Sequence, residues 1–297
     1  MSSLALALVI IAALIHAGWN YLTKCSDNKL VFSWLFRWVG VIVYLPLILW
    51  QPSLPVLSGR TGLNLPWIVW PLVVATGLLH ALYFWALTAA YDSSDLSLSY
   101  PLSRGLGALL VLLFATLLLG ERPSWLGLLG VLLIVVGVYT LQLHSFHASD
   151  ALMPLRVLGT PGGGYAALTG VCVAGYSLVD KLAVRYVSPL VYIYLMFVAA
   201  AIFSTPLIGR SGWDVVREEW RKNWWVIIAV GVLCPFAYLL ILWAMTLAPV
   251  SYVVAVRNLS IVFGALLGTW LLSESYGQQR ITGSVSVCVG AACIALA

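Results

Sequence analysis

Long apolar runs fill most of the chain, and short polar connections separate them. A helix that spans a bilayer needs about 20 consecutive, mostly apolar residues, and the sequence contains ten such runs. They lie at 3–22, 31–50, 67–91, 95–119, 124–143, 161–186, 188–209, 223–247, 250–272 and 278–297. The pattern predicts an all-α membrane protein with ten transmembrane helices. An even number of spans places both termini on the same side of the membrane.

Two polar stretches stand between these runs. Residues 144–160 form the longest connection, which is polar and contains proline, and they divide the chain into a first unit at 1–143 and a second at 161–297. In the other stretch, 210–222, tryptophans recur at helical spacing among charged residues, which predicts a short helix at the membrane surface. A plain solvated loop is the alternative for 210–222.

An internal repeat relates the two units. Arg104 precedes Glu121 by 17 residues, and Arg257 precedes Glu274 by the same 17. Two glycines follow each glutamate at equal distances, Gly130 and Gly137 in the first unit and Gly283 and Gly290 in the second. Arginine and glutamate are rare in this chain, so their joint recurrence argues for a duplication.

The two repeats are predicted to have opposite orientations in the membrane, because each holds five spans and five is an odd number. The expected architecture is therefore two inverted five-helix repeats. This is a common plan of secondary transporters, since two similar halves can exchange conformations and open a central site to each side in turn. The duplication thus favours transport by alternating access.

Composition excludes a water-soluble fold. The chain is 62% hydrophobic and 8% charged, with a mean hydropathy of +1.02, whereas soluble domains are about 45–50% apolar and about 25% charged. The net charge of +5 comes from scattered Lys and Arg residues, as expected of membrane flanks, so no nucleic-acid partner is predicted. The five cysteines form no CxxC pair and no Cys/His cluster at metal spacing, and neither a metal nor a cofactor is expected.

Two arginines are the strongest candidates for binding a solute. Arg104 and Arg257 lie well inside the fourth and ninth segments, where each costs roughly 2.5–3.5 kcal/mol unless it meets a cavity or a polar partner. A guanidinium suits a carboxylate or a phosphate-like group, and the neighbouring Tyr100, Ser103 and Asn258 could add hydrogen bonds. The alternative is a buried arginine that bonds backbone carbonyls where a helix breaks.

Polar and aromatic stripes supply the other candidates. His16, Trp19 and Asn20 share one face of the first segment, and Tyr176 and Ser177 occupy the equivalent face of the sixth. A third stripe contains His80 and Tyr83 in the third segment. Such stripes avoid lipid and should face the bundle interior. They either line a substrate cavity or bond neighbouring helices, and His80 could equally be a core residue.

The remaining charged candidates have structural explanations. Glu121 and Glu274 fall at the ends of the fourth and ninth segments, where each can cap the helix that follows. Lys24 and Lys181 complement the dipoles at the ends of their own helices, or act as gates. All ten acidic residues lie in loops or near helix ends. The sequence therefore offers no carboxylate at mid-span for proton coupling, and uncoupled exchange, facilitated passage and coupling through His16 or His80 remain open.

Short motifs in this arrangement resemble the EamA-like branch of the drug/metabolite transporter superfamily. They are His16-Ala17-Gly18-Trp19-Asn20 with Lys24, Pro101-Leu102-Ser103-Arg104, Leu118-Leu119-Gly120-Glu121, and their echoes around Arg257 and at Leu271-Leu272-Ser273-Glu274. The resemblance implies ten helices, a central cavity, cytoplasmic termini, and export or exchange of amino acids, related metabolites or phosphorylated compounds. The basic residues of the connections, eight against four, favour termini outside, so the orientation is left open.

The leading functional prediction is a secondary transporter, an exporter or exchanger, of a small polar metabolite that is anionic or zwitterionic, such as an amino acid or a phosphorylated or phosphonate compound. Its partners are that solute and the lipid bilayer, of a bacterial inner membrane, and a homodimer through the glycine-bearing fifth and tenth helices is a further option. A channel or a non-transporting membrane protein is the alternative. No catalytic residues are predicted, since motifs such as HExxH and GxSxG are absent from the sequence.

Overall fold

The protein is helical throughout the part of the chain that the structure, a computed structural model, describes. Described are residues 1–24, 26–50, 65–93, 96–141, 143, 159–209, 212–272 and 277–297, without the side chains at 21, 24, 91–93, 96–102 and 267–272. The helices are α1 (Ser3–Lys24), α2 (Lys29–Leu49), α3 (Val69–Ser93), α4 (Leu96–Leu118), α5 (Trp125–Thr140), α6 (Pro161–Ala183), α7 (Pro189–Ile208), α8 (Trp213–Leu247), α9 (Val250–Arg257), α10 (Leu259–Leu272) and α11 (Gln278–Leu296).

Ten apolar helical stretches can cross a membrane or nearly do so. Seven helices among the described residues are long and apolar enough to span a bilayer, and 103–118, 125–140 and 250–266 form three shorter apolar ones. Their positions agree with the ten predicted segments. The chain is therefore an all-α, multi-pass membrane protein, and its many exposed Leu, Val, Ile and Trp side chains are explained by contact with lipid.

Local sequence signals set several helix starts. Asn28, Ser124 and Thr160 each accept a hydrogen bond from the backbone N–H three residues later, at α2, α5 and α6, which satisfies a donor that the first turn of a helix leaves free. Pro161 and Pro189 occupy the first positions of α6 and α7, where proline loses no helical hydrogen bond.

The stretch predicted as a short surface helix is helical and joins the next span. α8 begins at Trp213 and contains a non-helical residue, Asn223 (φ −122°, ψ 17°). The residues of α8 before it, 213–222, are called the surface portion of α8. Glu219 lies buried in this portion and accepts hydrogen bonds from the Asn28 backbone N–H (3.1 Å) and from Asn223 Nδ2 (2.8 Å). The solvated loop is thus excluded, and the position at the membrane surface remains a prediction.

α5 and α11 pack face to face through the repeated glycines. A Cβ atom on Gly130 would lie 2.6 Å from the carbonyl oxygen of Gly290, and a Cβ on Gly137 would lie 2.7 Å from that of Gly283. The same distances hold when the Cβ is placed on Gly290 or Gly283 instead. Since the earlier glycine of one helix meets the later glycine of the other, the two helices run antiparallel. This glycine face is occupied within a single chain, and the homodimer remains a prediction.

The helices before and after the connector interleave. α3 packs against α6 and α7, whereas α1 and α2 pack against α8. Close approaches recur in matching places, because a Cβ on Gly77 of α3 would lie 2.6 Å from Cβ of Ala199, and one on Gly231 of α8 would lie 2.6 Å from Cγ1 of Val39. Each half therefore buries its helices mainly against the other half.

Candidate functional site

One turn residue interrupts the ninth span next to Arg257. α9 ends at Arg257, Asn258 keeps near-helical angles (φ −65°, ψ −9°), and α10 begins at Leu259. Arg257 is 4% exposed and donates from Nη2 to the hydroxyl of Tyr176 (3.3 Å), while its Nε has no partner. The side-chain nitrogen of Asn258 and the hydroxyl of Ser260 are also buried without a partner. Unused polar groups at a break in a spanning helix are typical of transporter binding sites.

Arg104 occupies the equivalent position in α4 and contacts α1. Its Nη2 lies 3.3 Å from Nε2 of His16. A guanidinium can only donate, so Nε2 accepts and the His16 ring is neutral in this arrangement. His16 packs edge-on against Trp19 at 4.6 Å between ring centroids and lies within electrostatic range of both Arg104 and Arg257. The two predicted arginines therefore belong to one polar region.

An aromatic group connects Arg257 to α3 and α8. The His80 ring stacks on Tyr176 with 4.2 Å between centroids, and Tyr83 and Tyr238 meet Tyr176 edge-on at 5.9 and 6.4 Å. His80 Nδ1 lies 2.9 Å from the carbonyl oxygen of Thr76, which can only accept, so Nδ1 carries a proton. His80 thus has a hydrogen-bond partner within α3, and the face of its ring packs on Tyr176 of the aromatic group.

Asp180 lies near the end of α6, as the sequence indicates, and it is buried in the core of the bundle. It is fully buried and accepts hydrogen bonds from Thr76 Oγ1 (2.8 Å), from Tyr192 Oη (2.6 Å) and from Tyr238 Oη. Nearness to a helix end in sequence therefore does not place this carboxylate near water. α3, α7 and α8 cover the end of α6 and supply the three hydroxyls.

Arg37 is a third buried arginine that the sequence analysis missed. It is 3% exposed, its Nη1 donates to Ser204 Oγ (2.9 Å), and its Cζ lies 4.1 Å above the ring of Phe84. Its Nη2 has no partner. Arg37 also lies within electrostatic range of His80. The same cost argument that selected Arg104 applies to a charge in the middle of the 31–50 segment and could have found it.

The other predicted site residues have mixed positions. Ser177 is fully buried and donates to the Val173 carbonyl of its own helix (2.6 Å), so its hydroxyl proton is used locally. Asn20 is half-buried on α1, and Ser103 is buried beside Arg104. The side chains of Tyr100 and Lys24, all of Glu274, and the connector up to residue 158 lie outside the described residues.

Glu121 and Lys181 hold the junction between α8 and α9, defined here as residues 245–251. Glu121 accepts hydrogen bonds from the backbone N–H groups of Val250 (2.6 Å) and Ser251 (3.2 Å). Lys181 donates to the carbonyls of Met245 and Ala248. From the sequence, Glu121 was expected to cap the helix that follows it in the chain, and Lys181 to complement the dipole at the end of its own helix. The helices they serve are instead neighbours in space, α9 for Glu121 and α8 for Lys181.

The charges of the region are unequal. Among the described residues, the guanidiniums of Arg37, Arg104 and Arg257 share the bundle interior with the carboxylate of Asp180, while the other buried carboxylate, Glu219, lies in the first part of α8. Two of the arginines keep a buried nitrogen without a partner, which would be costly unless a ligand or water supplies an acceptor. Among the described residues, no group of His, Cys, Asp and Glu could hold a metal ion. The arrangement is suited to binding the oxygens of an anionic group.

The fold is that of a multi-pass membrane protein, and the comparisons with known proteins point to transporters. The sequence profile of the EamA-like transporter family matches residues 160–296, and that of the Small Multidrug Resistance protein matches residues 48–134. The pseudopaline exporter CntI of Pseudomonas aeruginosa is 26% identical over 97% of this chain and 94% of its own length. The multidrug resistance protein EbrB of Bacillus subtilis is 35% identical over 27% of this chain and 68% of its own length.

A solved crystal structure has the same fold. It aligns with a TM-score of 0.71 at 20% identity and covers 100% of this chain and 99% of that chain. With the profile match and the full-length relative, the conclusion is that the chain belongs to the EamA-like family of the drug/metabolite transporter superfamily. The family and these relatives are transporters rather than enzymes, and the protein is integral to the bacterial inner membrane.

Proposed function

We propose that this protein is a secondary carrier that exports or exchanges a small anionic or zwitterionic metabolite, such as an amino acid or a phosphorylated or phosphonate compound. The observation that carries the proposal is the pair of buried guanidinium nitrogens without a partner, Nε of Arg257 and Nη2 of Arg37. Carboxylate and phosphate-like oxygens are the acceptors that a guanidinium binds best. Direction comes from the relatives, since CntI and the nicotine metabolites export pump subunit NepA of Paenarthrobacter nicotinovorans are named for export.

Alternating access would follow from two inverted repeats, which we place at 1–143 and 161–297. Three features support this division. α5 and α11 meet antiparallel through glycines at equivalent repeat positions. The close contact of Gly77 with Ala199 recurs as that of Gly231 with Val39. Arg104 and Arg257, at equivalent positions, each contact the helix that begins their own repeat, α1 through His16 and α6 through Tyr176.

The test starts by finding a ligand and then measures flux. A thermal-shift screen of the purified chain against amino acids, phosphonates, nucleosides and organic acids selects the probe. Counterflow of that probe in proteoliposomes should be saturable. Arg104→Ala and Arg257→Gln should each lower it roughly tenfold or more, because a charge-assisted hydrogen bond contributes about 1.5–3 kcal/mol. Arg217→Gln is the matched control, since Arg217 is exposed on the surface portion of α8.

Other outcomes would point elsewhere. Flux that rises linearly with probe concentration would support a channel, and no ligand-induced shift and no flux would support a membrane protein without transport activity. Normal flux in both Arg104→Ala and Arg257→Gln would exclude the arginines from solute binding. Turnover of the probe into a product would revive an intramembrane enzyme.

A further inference from the structure

We propose that Asp180 is a proton-binding site, and that its protonation raises the affinity of the arginine site for an anion. The proposal rests on the proposed function, because it assumes that the arginines bind an anionic group. It assigns a proton as a second ligand of the carrier and determines the sign of the linkage. The proton and the anion should bind together rather than compete.

Asp180 is separated from the solute site by its own hydrogen-bond partners. The residue is 0% exposed, and its two oxygens accept three hydroxyl hydrogen bonds from α3, α7 and α8. A solute could reach these oxygens only by displacing Thr76, Tyr192 or Tyr238. A proton needs no such space, so a proton is the ligand that this enclosed carboxylate can take.

The partners of Asp180 can satisfy both of its protonation states. Among the described residues, the salt bridges lie at the surface portion of α8, where Asp214 and Lys222 meet their partners, and none of them involves Asp180. An Arg or Lys partner could only donate and would hold the carboxylate in its charged form. A hydroxyl both donates and accepts, so one tyrosine or Thr76 can reorient and accept a hydrogen bond from the protonated carboxyl. The carboxyl group of Asp180 is thus hydrogen-bonded in both states.

Two side-chain routes connect Asp180 to Arg257. Thr76 bonds the carboxylate and lies 3.2 Å from His80 Nδ1, and the His80 ring stacks on Tyr176, whose hydroxyl accepts from Arg257. On the second route, Tyr238 bonds the carboxylate directly and meets the rings of His80 and Tyr176. The carboxylate charge also acts on Arg257 through space.

The sign of the linkage follows from charge. The negative charge of an ionised Asp180 offsets part of the positive field of Arg257. An anionic solute is then attracted less strongly to Arg257. Protonation removes that negative charge, so the anion should bind more tightly. By reciprocity, the anion raises the affinity of Asp180 for its proton by the same factor.

Other titratable groups face this region and must be separated from Asp180. His16 of α1 accepts from Arg104, and His80 of α3 donates to Thr76, so either ring could gain a proton on acidification. Tyr192 and Tyr238 are hydroxyl donors, Arg37 and Arg257 are constant cations, and Lys181, next in sequence, points to the α8–α9 junction. The two histidines are therefore the variants that any pH experiment needs as comparisons.

The first arm of the test measures anion affinity by titration calorimetry on the full chain in detergent. The probe is sulfoacetate, a dianion whose charge is constant between mildly acidic and mildly alkaline pH. Its affinity should rise about tenfold on acidification, with net proton uptake, within the usual range of coupling between two sites. Asp180→Asn should bind sulfoacetate at all pH values as tightly as the wild type does in acid, with no linked proton. His16→Gln and His80→Gln should keep the pH dependence.

The second arm needs no solute. Infrared spectra recorded on acidification should show the band of a buried protonated carboxyl in the wild type and in Glu219→Gln, and should lack it in Asp180→Asn. Retained sulfoacetate binding shows that Asp180→Asn is folded. The proposal is overturned if wild-type affinity is independent of pH, if binding releases protons, or if Asp180→Asn keeps the full pH dependence. Failure of sulfoacetate to bind at any pH contradicts the linkage and the anion-carrier function, while the infrared arm still decides whether Asp180 takes up a proton.

Discussion

The carboxylate of Glu121 accepts a 2.6 Å hydrogen bond from the backbone N–H of Val250, 129 residues further along the chain. Val250 is the first residue of α9, so Glu121 supplies the cap that Pro249, at the N-cap position, cannot provide. The contact joins the end of the α4–α5 connection to the half-helix that ends at Arg257. Through this contact, the first half of the chain caps the helix that carries Arg257.

Glu121→Ala should therefore destabilise the protein by about 1–2 kcal/mol, because two backbone donors and the Ser251 hydroxyl lose their acceptor. The measurement is the thermal midpoint of the purified protein in detergent. Glu218→Ala, on the exposed surface portion of α8, is the matched control. Equal midpoints for Glu121→Ala and Glu218→Ala would show that the cap contributes nothing.

Lys181→Met should lower the thermal midpoint as well, since the carbonyls of Met245 and Ala248 lose a charged donor. Because Glu121 and Lys181 act on one junction, the double variant with Glu121→Gln should depart from additivity by about 0.5 kcal/mol or more. Lys29→Met, at an exposed position, serves as the control. Additive changes would mean that the two ends of the junction are independent.

Gly130→Val should disrupt the contact of α5 with α11, because even a Cβ at this position would approach the Gly290 backbone to 2.6 Å. Overpacking of this kind costs about 1–3 kcal/mol and should reduce the yield of folded, monodisperse protein in size-exclusion chromatography. Gly164→Ala is the control, since nothing lies within 4 Å of a Cβ there. A Gly130→Val variant as stable as Gly164→Ala would contradict the described packing.

Arg37→Gln should weaken binding of the anion selected in the thermal-shift screen roughly tenfold, if its free Nη2 contacts the solute. Ser204→Ala removes the partner of Nη1 and should lower the thermal midpoint while leaving affinity within about twofold. Affinity and midpoint are measured on the same preparations. Should Arg37→Gln change only the midpoint, Arg37 is a residue that joins α2 to α7 and does not bind solute.

The number and positions of the spans could be predicted because the bilayer imposes a strong and simple pattern on each segment. Arg104 and Arg257 could be predicted because the free-energy cost of a charged side chain inside the bilayer depends on its position within the spanning segment, which the sequence shows. Asp180 and the targets of Glu121 and Lys181 could not be found in this way. Their partners lie between 12 and 130 residues away, and only the packing of helices that are distant in sequence brings them together.

Arg37 was missed for a different reason. The information was present, since a charged residue stands in the middle of an apolar run, but its repeat partner in the seventh segment is not an arginine. The repeat pairs Arg104 with Arg257 but gives Arg37 no counterpart. Asymmetric residues of a duplicated transporter carry as much information as symmetric ones, because they distinguish the two halves.

The interleaving of the two halves has a consequence for biosynthesis. Ser204, the partner of Arg37, is synthesised 167 residues later, which corresponds to roughly 8–30 s at typical rates of translation. During that interval α2 carries a charge into the bilayer with its partner not yet made, and α1 and α3 lack the helices that will cover their polar faces. The nascent first half must keep these faces away from lipid, so the finished bundle forms only when α6, α7 and α8 insert among helices that are already in the membrane.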